Sequence, residues 1–420
     1  MRLLQHRPRG GYLEHLFDQA LARTRLSPAD RHLCQELVYG IVRWQATLDW
    51  LVARKAGQRP QKPLIQNLLR LGLYQLFWLD RIPHHAAVNE TVQLAGRSGL
   101  GPQAGFLNAV LRAYVREFDA TRRLLAQLKV SDPPLGLSHP AWLAARWTQR
   151  WGAQRAAQLM EWNNTPPATF ARLNTLKTDS AGLLAQWRKE GVQCLPVRRD
   201  WLADNLVFEL KSHPPLARLP SFRHGLFYVQ DPGTLLAPQE LDPRPGQTVL
   251  DLCAAPGGKL TYLAQLMANH GELFAHETAP QRLKLIHQNC ARLGLTCVKF
   301  FNPETPALFD RILLDVPCSN TGVMRRRVEL RWRLRPQELE RLRATQLQLL
   351  RQAAGRLRPG GRLVYSTCSL ETEENQEVIA QFLSEHPAFQ LERQRELLPF
   401  EDKADGAFVA NLSYDKGSRA

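Results

Sequence analysis

No stretch of this 420-residue chain approaches the length of apolar sequence that a bilayer demands, so no membrane-spanning helix is expected. The seven cysteines stand singly, at positions 34, 194, 253, 290, 297, 318 and 368, without a Cys-x-x-Cys or a His–Cys ligand spacing. Neither a zinc site nor a disulfide framework is expected, no metal is expected, and the thiols are available for chemistry. No segment repeats at a fixed period, and no tract is of low complexity. The opening residues Met1-Arg2-Leu3-Leu4-Gln5-His6-Arg7 turn polar before a signal-peptide core could form, which gives an expected cytoplasmic location.

What the chain does contain is core-forming sequence and an excess of positive charge. Hydrophobic residues at 44% and charged residues at 22% set aside the disordered and fibrous classes. The length suggests two or three domains. Fifty-five Lys and Arg against 39 Asp and Glu leave +16 and a pI near 9.9, which points to nucleic acid as the partner. Half of that excess lies between Thr321 and Gly360, with eleven Arg against three Glu. Part of Pro336–Leu357 reads as a solvated helix face. Arg325, Arg326, Arg327, Arg331 and Trp332 are instead expected to bind RNA, because guanidinium groups beside an indole suit phosphates and stacked bases.

Three regions follow along the chain. Residues 1–125 read as helical: Ser27-Pro28-Ala29-Asp30 is a helix start, and apolar residues recur at helical spacing over Leu33–Val42, Leu64–Leu79 and Phe106–Phe118. Residues 126–240, with paired prolines and short strand-like runs at Asn205–Leu210 and Leu226–Val229, read as a linker and a small α+β module that also meets RNA. Residues 241–420 alternate strand and helix. Strands are expected at Thr248–Leu252, Leu273–Glu277, Cys297–Phe301, Ile312–Asp315 and Leu363–Ser366, in a mainly parallel sheet with helices on both faces. Ligands of such sheets bind beyond the C-terminal strand ends, where Asp251, Glu277, Asp315 and Cys368 fall.

The turn Asp251-Leu252-Cys253-Ala254-Ala255-Pro256-Gly257-Gly258-Lys259 is neither a phosphate loop nor a GxGxxG loop. Cys253 stands where a phosphate loop needs its first glycine, and Leu260 where it needs Ser or Thr. Its small residues let backbone approach a ligand closely, and Glu277 stands where an acid would bind ribose hydroxyls. Cys318 and Cys368 both follow strand ends, and spacing alone does not rank them as nucleophile.

Asp251–Lys259, Asp315–Gly322 and Tyr365–Ser369 with Glu373-Glu374-Asn375 together resemble the Sun (Fmu, RsmB-like) family of RNA cytosine methyltransferases. Glu36–Gly40, Arg43-Trp44 and Phe106–Arg112 are similar to the NusB-like domain of its bacterial members, which points to the 16S rRNA enzymes. The resemblance implies an all-α NusB-like N-terminal domain, a small α+β middle module and a C-terminal Rossmann-like S-adenosylmethionine methyltransferase domain. It implies that Cys253, Ala254, Ala255, Pro256, Gly257, Gly258 and Lys259 contact S-adenosylmethionine, with Glu277 at the ribose, Asn302 at the adenine and Asp315 between cofactor and base. It further implies Cys368 as nucleophile, Cys318 as the thiol that aids release, and Asp315 at the cytosine amino edge. Three positions depart from the family pattern: Asn302 for an acid, Leu260 for Thr, and Asp405-Gly406-Ala407-Phe408 for a paired aromatic.

The chemistry agrees with the residue types. Carbon-5 of cytosine is a poor nucleophile until a thiolate adds to carbon-6 and makes the ring an enamine. A positive field that favours the thiolate would come from Lys259 and the arginines after Gly322. The expected partner is 16S rRNA, unassembled or partly assembled, met by a monomer that needs no membrane. The competing readings are a tRNA substrate or a non-catalytic NusB-like RNA-binding factor.

Overall fold

A computed structural model of the chain describes residues 13–415 apart from 23, 25, 58–60 and 305–306. The Met1–Arg7 stretch behind the expected location lies outside the described residues. Among the described residues, no helix is long and apolar enough to cross a membrane.

The chain divides into two compact units. One holds the sequence up to Pro166 together with Met324–Arg333, and the other holds Pro167–Val323 and Leu334–Ala420. The first is helical. Ser27 caps the helix Pro28–Arg43 by accepting the Asp30 N–H, with proline at the first turn. The apolar runs expected next form Pro63–Trp78 and Ala104–Arg116. Gly40 is required by packing: a Cβ there would sit 2.0 Å from Tyr74 Cζ. Helices continue through Ala141–Trp151 and Ala153–Asn163, so the boundary expected at 125/126 falls inside this unit. Of the paired prolines that suggested a linker, Pro133-Pro134 open a short helix, whereas Pro166-Pro167 lead into a strand.

The second unit carries two sheets. Strands β1 (Thr169–Leu173), β2 (Gln193–Pro196), β3 (Val207–Ser212) and β4 (Phe227–Val229) form an antiparallel sheet in the order β2-β3-β1-β4. Seven more strands follow: β5 (Thr248–Asp251), β6 (Glu272–Ala275), β7 (Val298–Phe300), β8 (Phe309–Asp315), β9 (Leu357–Thr367), β10 (Phe389–Leu397) and β11 (Ala407–Tyr414). Their order is β10-β11-β9-β8-β5-β6-β7, parallel from β9 to β7 and antiparallel at β10 and β11.

Side chains of the large sheet alternate between two cores, as a two-residue period requires. Leu250, Ile312, Leu314, Leu363 and Tyr365 pack with the helices Pro336–Ala354 and Gln376–Glu385. Val249, Leu313, Val364 and Val409 pack with Gly258–Leu266 and Pro280–Leu293. The strand order reverses between β5 and β8, which opens a crevice at their C-terminal ends.

Candidate active site

Asp251 ends β5, Asp315 ends β8, Cys318 lies three residues further on, and Cys368 directly follows β9. Pairing of Asp315 with Ser366 sets the last two loops side by side. The cysteine sulfurs come within 3.3 Å. Asn320, at φ +60°, bridges the loops: its Nδ2 donates to the Cys318 carbonyl (2.6 Å) and the Cys368 thiol donates to its Oδ1 (3.1 Å). Asn tolerates this left-handed backbone better than most residues. A cleft with about 300 Å³ of open volume is lined by Lys259, Val323, Ser366, Thr367, Cys368 and Gly406.

Charges in the crevice are arranged unevenly. Lys259 Nζ stands 2.7 Å from Asp315 Oδ2, and Ser366 Oγ donates to Asp315 Oδ1 at 2.7 Å. Burial alone would lower the Lys259 pKa, but the charge and hydrogen bond of Asp315 raise it, with a smaller push from Cys368. Lys259 is therefore a lasting ammonium that the Cys368 sulfur feels. The Cys318 thiol is pushed well up, by its hydrogen bond to Cys368, then by desolvation and by the charges of Cys368 and Glu374. Cys253 is pushed up to about 12 by burial and then by Asp251, Asp315 and Glu277, so it is a neutral thiol.

The turn after β5 suits a ligand that brings a positive charge. Gly257 holds φ +101° before the helix Gly258–Leu266, and a Cβ on Gly258 would lie 3.2 Å from Gln230 Nε2. Asp251 is 1% exposed, yet neither of its carboxylate oxygens has a well-formed hydrogen bond, the backbone N–H of Cys253 giving it only weak support. Burial, then the charge of Asp315, raises its pKa to about 7. A buried carboxylate left without donors is costly unless a ligand supplies them, and the ammonium of a methionyl group does so. The expected residues of this loop therefore fit S-adenosylmethionine.

Glu277 lies beyond β6 with its side chain 7% exposed; Oε1 accepts the Ala279 N–H (2.9 Å) and Oε2 pairs with Arg282 (3.1 Å). Asn302 is exposed beyond β7 and accepts the Glu304 N–H at 3.1 Å.

Several members of the site escaped the sequence reading. Asn320 and Glu374 lay inside quoted motifs without a role. Arg172 on β1 was unsuspected: it is buried, and its guanidinium donates to Gly258 O (3.0 Å), Thr261 Oγ1 (2.9 Å) and Gln230 Oε1 (2.6 Å). The small antiparallel sheet thus props the start of the cofactor helix. A lone arginine in a strand-like run gives no local signal of this.

The arginine run requires a correction. Arg331 has no exposed surface and donates to Arg43 O, Ser138 O, Asn163 O and Asn164 Oδ1, at 2.8–3.2 Å. Trp332 Nε1 donates to Val42 O at 2.6 Å. The carbonyls of Val42, Arg43 and Asn163 end the helices Pro28–Arg43 and Ala153–Asn163, which lack intrahelical donors there. Arg331 is therefore a helix cap inside the helical unit with no surface left to meet RNA, and the half-buried Trp332 spends its indole N–H on a helix end. Arg325 is also buried, 4.2 Å over the Trp162 ring. Arg326 and Arg327 keep partial exposure.

A parallel sheet with a ligand turn at its reversal point and a thiol pair on the neighbouring strand ends defines a Rossmann-like methyltransferase that uses S-adenosylmethionine. Three family models match in succession: the NusB family over residues 3–116, the ferredoxin-like domain of RsmF/B-like methyltransferases over 139–207, and the 16S rRNA methyltransferase RsmB/F over 238–413. "Ribosomal RNA small subunit methyltransferase B" of Sodalis glossinidius is 37% identical over 92% of this chain and 90% of its own. "Probable ribosomal RNA small subunit methyltransferase B" of Synechocystis is 36% identical over 96% of each chain. A crystal structure of a methyltransferase homolog protein from Pyrococcus horikoshii superposes with a TM-score of 0.60 at 33% identity, over 67% of this chain and 98% of that one. The chain belongs to the RsmB/F family of 16S rRNA methyltransferases.

Proposed function

We propose that this RNA methyltransferase acts on carbon-5 of a cytosine in 16S rRNA, with Cys368 as covalent nucleophile and Cys318 as the thiol that releases product. The observation that carries the reading is the pair of sulfurs 3.3 Å apart, of which Cys368 lines the cleft beside Lys259. Cys318 is buried and keeps its proton, whereas Cys368 lines the cleft, which supports Cys368 as the sulfur that attacks. It adds to carbon-6 of a base taken out of its stack, its own proton passing to solvent. Asp315 accepts from the cytosine amino group, which uracil lacks. When bound, S-adenosylmethionine supplies the electrophilic methyl group for carbon-5. After the carbon-5 proton has gone to a base, the Cys318 S–H donates to the departing sulfur, and Cys368 is free again.

Asp251 would receive the cofactor ammonium, the turn Cys253–Lys259 its methionyl end, Glu277 the ribose and Asn302 the adenine edge. Arg326 and Arg327, together with the helical unit, would hold RNA through its phosphates, from unassembled or partly assembled small subunits and as a monomer.

The test is covalent trapping with RNA carrying 5-fluorocytosine. Cys368→Ala should abolish the adduct, while Cys318→Ala should accumulate one even on ordinary RNA. The reverse pattern would exchange the two roles. Methyl transfer to rRNA, tRNA and duplex DNA separates the substrate classes, and transfer to none would favour a binding factor.

A further inference from the structure

One buried carboxylate touches both loops that carry the thiols. Glu374, in the turn after Cys368, has no exposed surface. Its Oε1 accepts the Ser319 N–H (2.8 Å) and the Gln346 amide (2.9 Å), and its Oε2 accepts the hydroxyls of Ser319 and Ser369. Ser319 follows Cys318 and Ser369 follows Cys368, so a single side chain links the two residues next to the sulfurs. The Tyr365 hydroxyl donates to the Glu374 carbonyl (2.6 Å), and Asn375 Nδ2 donates to Ser369 O (2.9 Å), which fixes the turn itself.

We propose that Glu374 is a positioning residue for methyl transfer, whose carboxylate ties the Cys318 loop to the Cys368 loop and sets the spacing of the two thiols. This rests on the thiol reading above. A neutral hydrogen-bonding residue could hold two loops at a smaller desolvation cost than a buried carboxylate. The charge has a task of its own: the groups facing Cys318 are Cys368, Glu374 and Tyr365, and the negative field of Glu374 helps keep the proton on Cys318. Four donors favour the ionised form of Glu374 against burial, which pushes its own pKa up. The clamp thus orders the pair in space and in proton affinity, so that Cys368 attacks and Cys318 assists.

The experiment compares the full-length wild type with Glu374→Gln, which keeps the shape and removes the charge. S-adenosylmethionine affinity should be unchanged by calorimetry, because none of the contacts of Glu374 involve residues 251–259. The kcat for methyl transfer should fall roughly tenfold or more, as expected when a proton donor is mistuned. The alkaline limb of its pH profile should move to lower pH, since Cys318 then loses its proton more easily. A merely structural role would lower the melting temperature and leave that limb in place. If Glu374→Gln fails to fold, Ser369→Ala removes one link and should lower kcat with cofactor affinity kept. An unchanged kcat, or an unmoved alkaline limb in Glu374→Gln, overturns the proposal. Retention of the 5-fluorocytosine adduct in Cys368→Ala would instead sink the thiol reading on which it stands.

Discussion

Two buried charges, one in each compact unit, have opposite surroundings. Arg331 in the helical unit has no exposed surface and gives its hydrogen bonds to four acceptors. Asp251 in the sheet unit is just as buried, and neither of its oxygens has a well-formed hydrogen bond. Burial alone would class both as structural. Accounting for partners separates them: Arg331 leaves only its Nε unbonded, whereas both carboxylate oxygens of Asp251 lack a well-formed hydrogen bond, and an acceptor so bare suits a place where something else binds. The positive charge that looked like a nucleic-acid contact is internal, and the negative charge stands where β5 gives way to the turn of small residues.

Substitutions should break this pair in opposite directions. The largest effect is expected for Asp251→Asn, which should weaken S-adenosylmethionine binding by about 100-fold in calorimetry, the loss of one buried charge-assisted contact. It should leave the melting temperature of the cofactor-free protein equal or higher. Arg331→Met should do the reverse. It leaves helix-end carbonyls without donors and should cost the helical unit about 3 kcal/mol in denaturant unfolding, with cofactor affinity kept. A loss of cofactor affinity in Arg331→Met equal to that in Asp251→Asn would dissolve the distinction.

The smallest effect is in pH. Asp251 has a folded pKa of about 7 and an unfolded value near ~3.9, so between these the native state holds the extra proton. Stability of the cofactor-free protein should therefore rise as pH falls from 7 toward 4, and this contribution is lost above 7. Cofactor affinity should move the other way, weakening below pH 7 by at most roughly tenfold per unit. Thermal melts and binding isotherms at pH 6 and 8 check both signs, and Asp251→Asn should flatten them.

Much of the catalytic region could be read from local sequence. A short apolar strand, a turn of small residues and a cysteine just past a strand end each fit in ten residues, and the sheet places them without further information. The antiparallel strands β10 and β11 were not foreseen; in the edge strand β10, Phe389–Leu397, charged residues that an exposed edge tolerates break up the apolar pattern. The fate of Arg331 was illegible for a different reason. Its acceptors are carbonyls 167 to 288 positions away in the chain, so no spacing near Arg325–Arg333 reveals them. Arg172 is similar, with Gly258 and Thr261 86 and 89 positions away.

The placement of Met324–Arg333 in the helical unit also bears on how the chain is made. The helices ending at Arg43 and Asn163 leave the ribosome well before Arg331, and Val328 completes the small core of Leu13, Phe17, Val38 and Val42. At ~5–20 residues per second, the nascent helical unit waits roughly 8 to 30 seconds for these caps, while most of the sheet unit is synthesised. A ribosome stalled before codon 324 would hold a helical unit with its final turn carbonyls still bound to water.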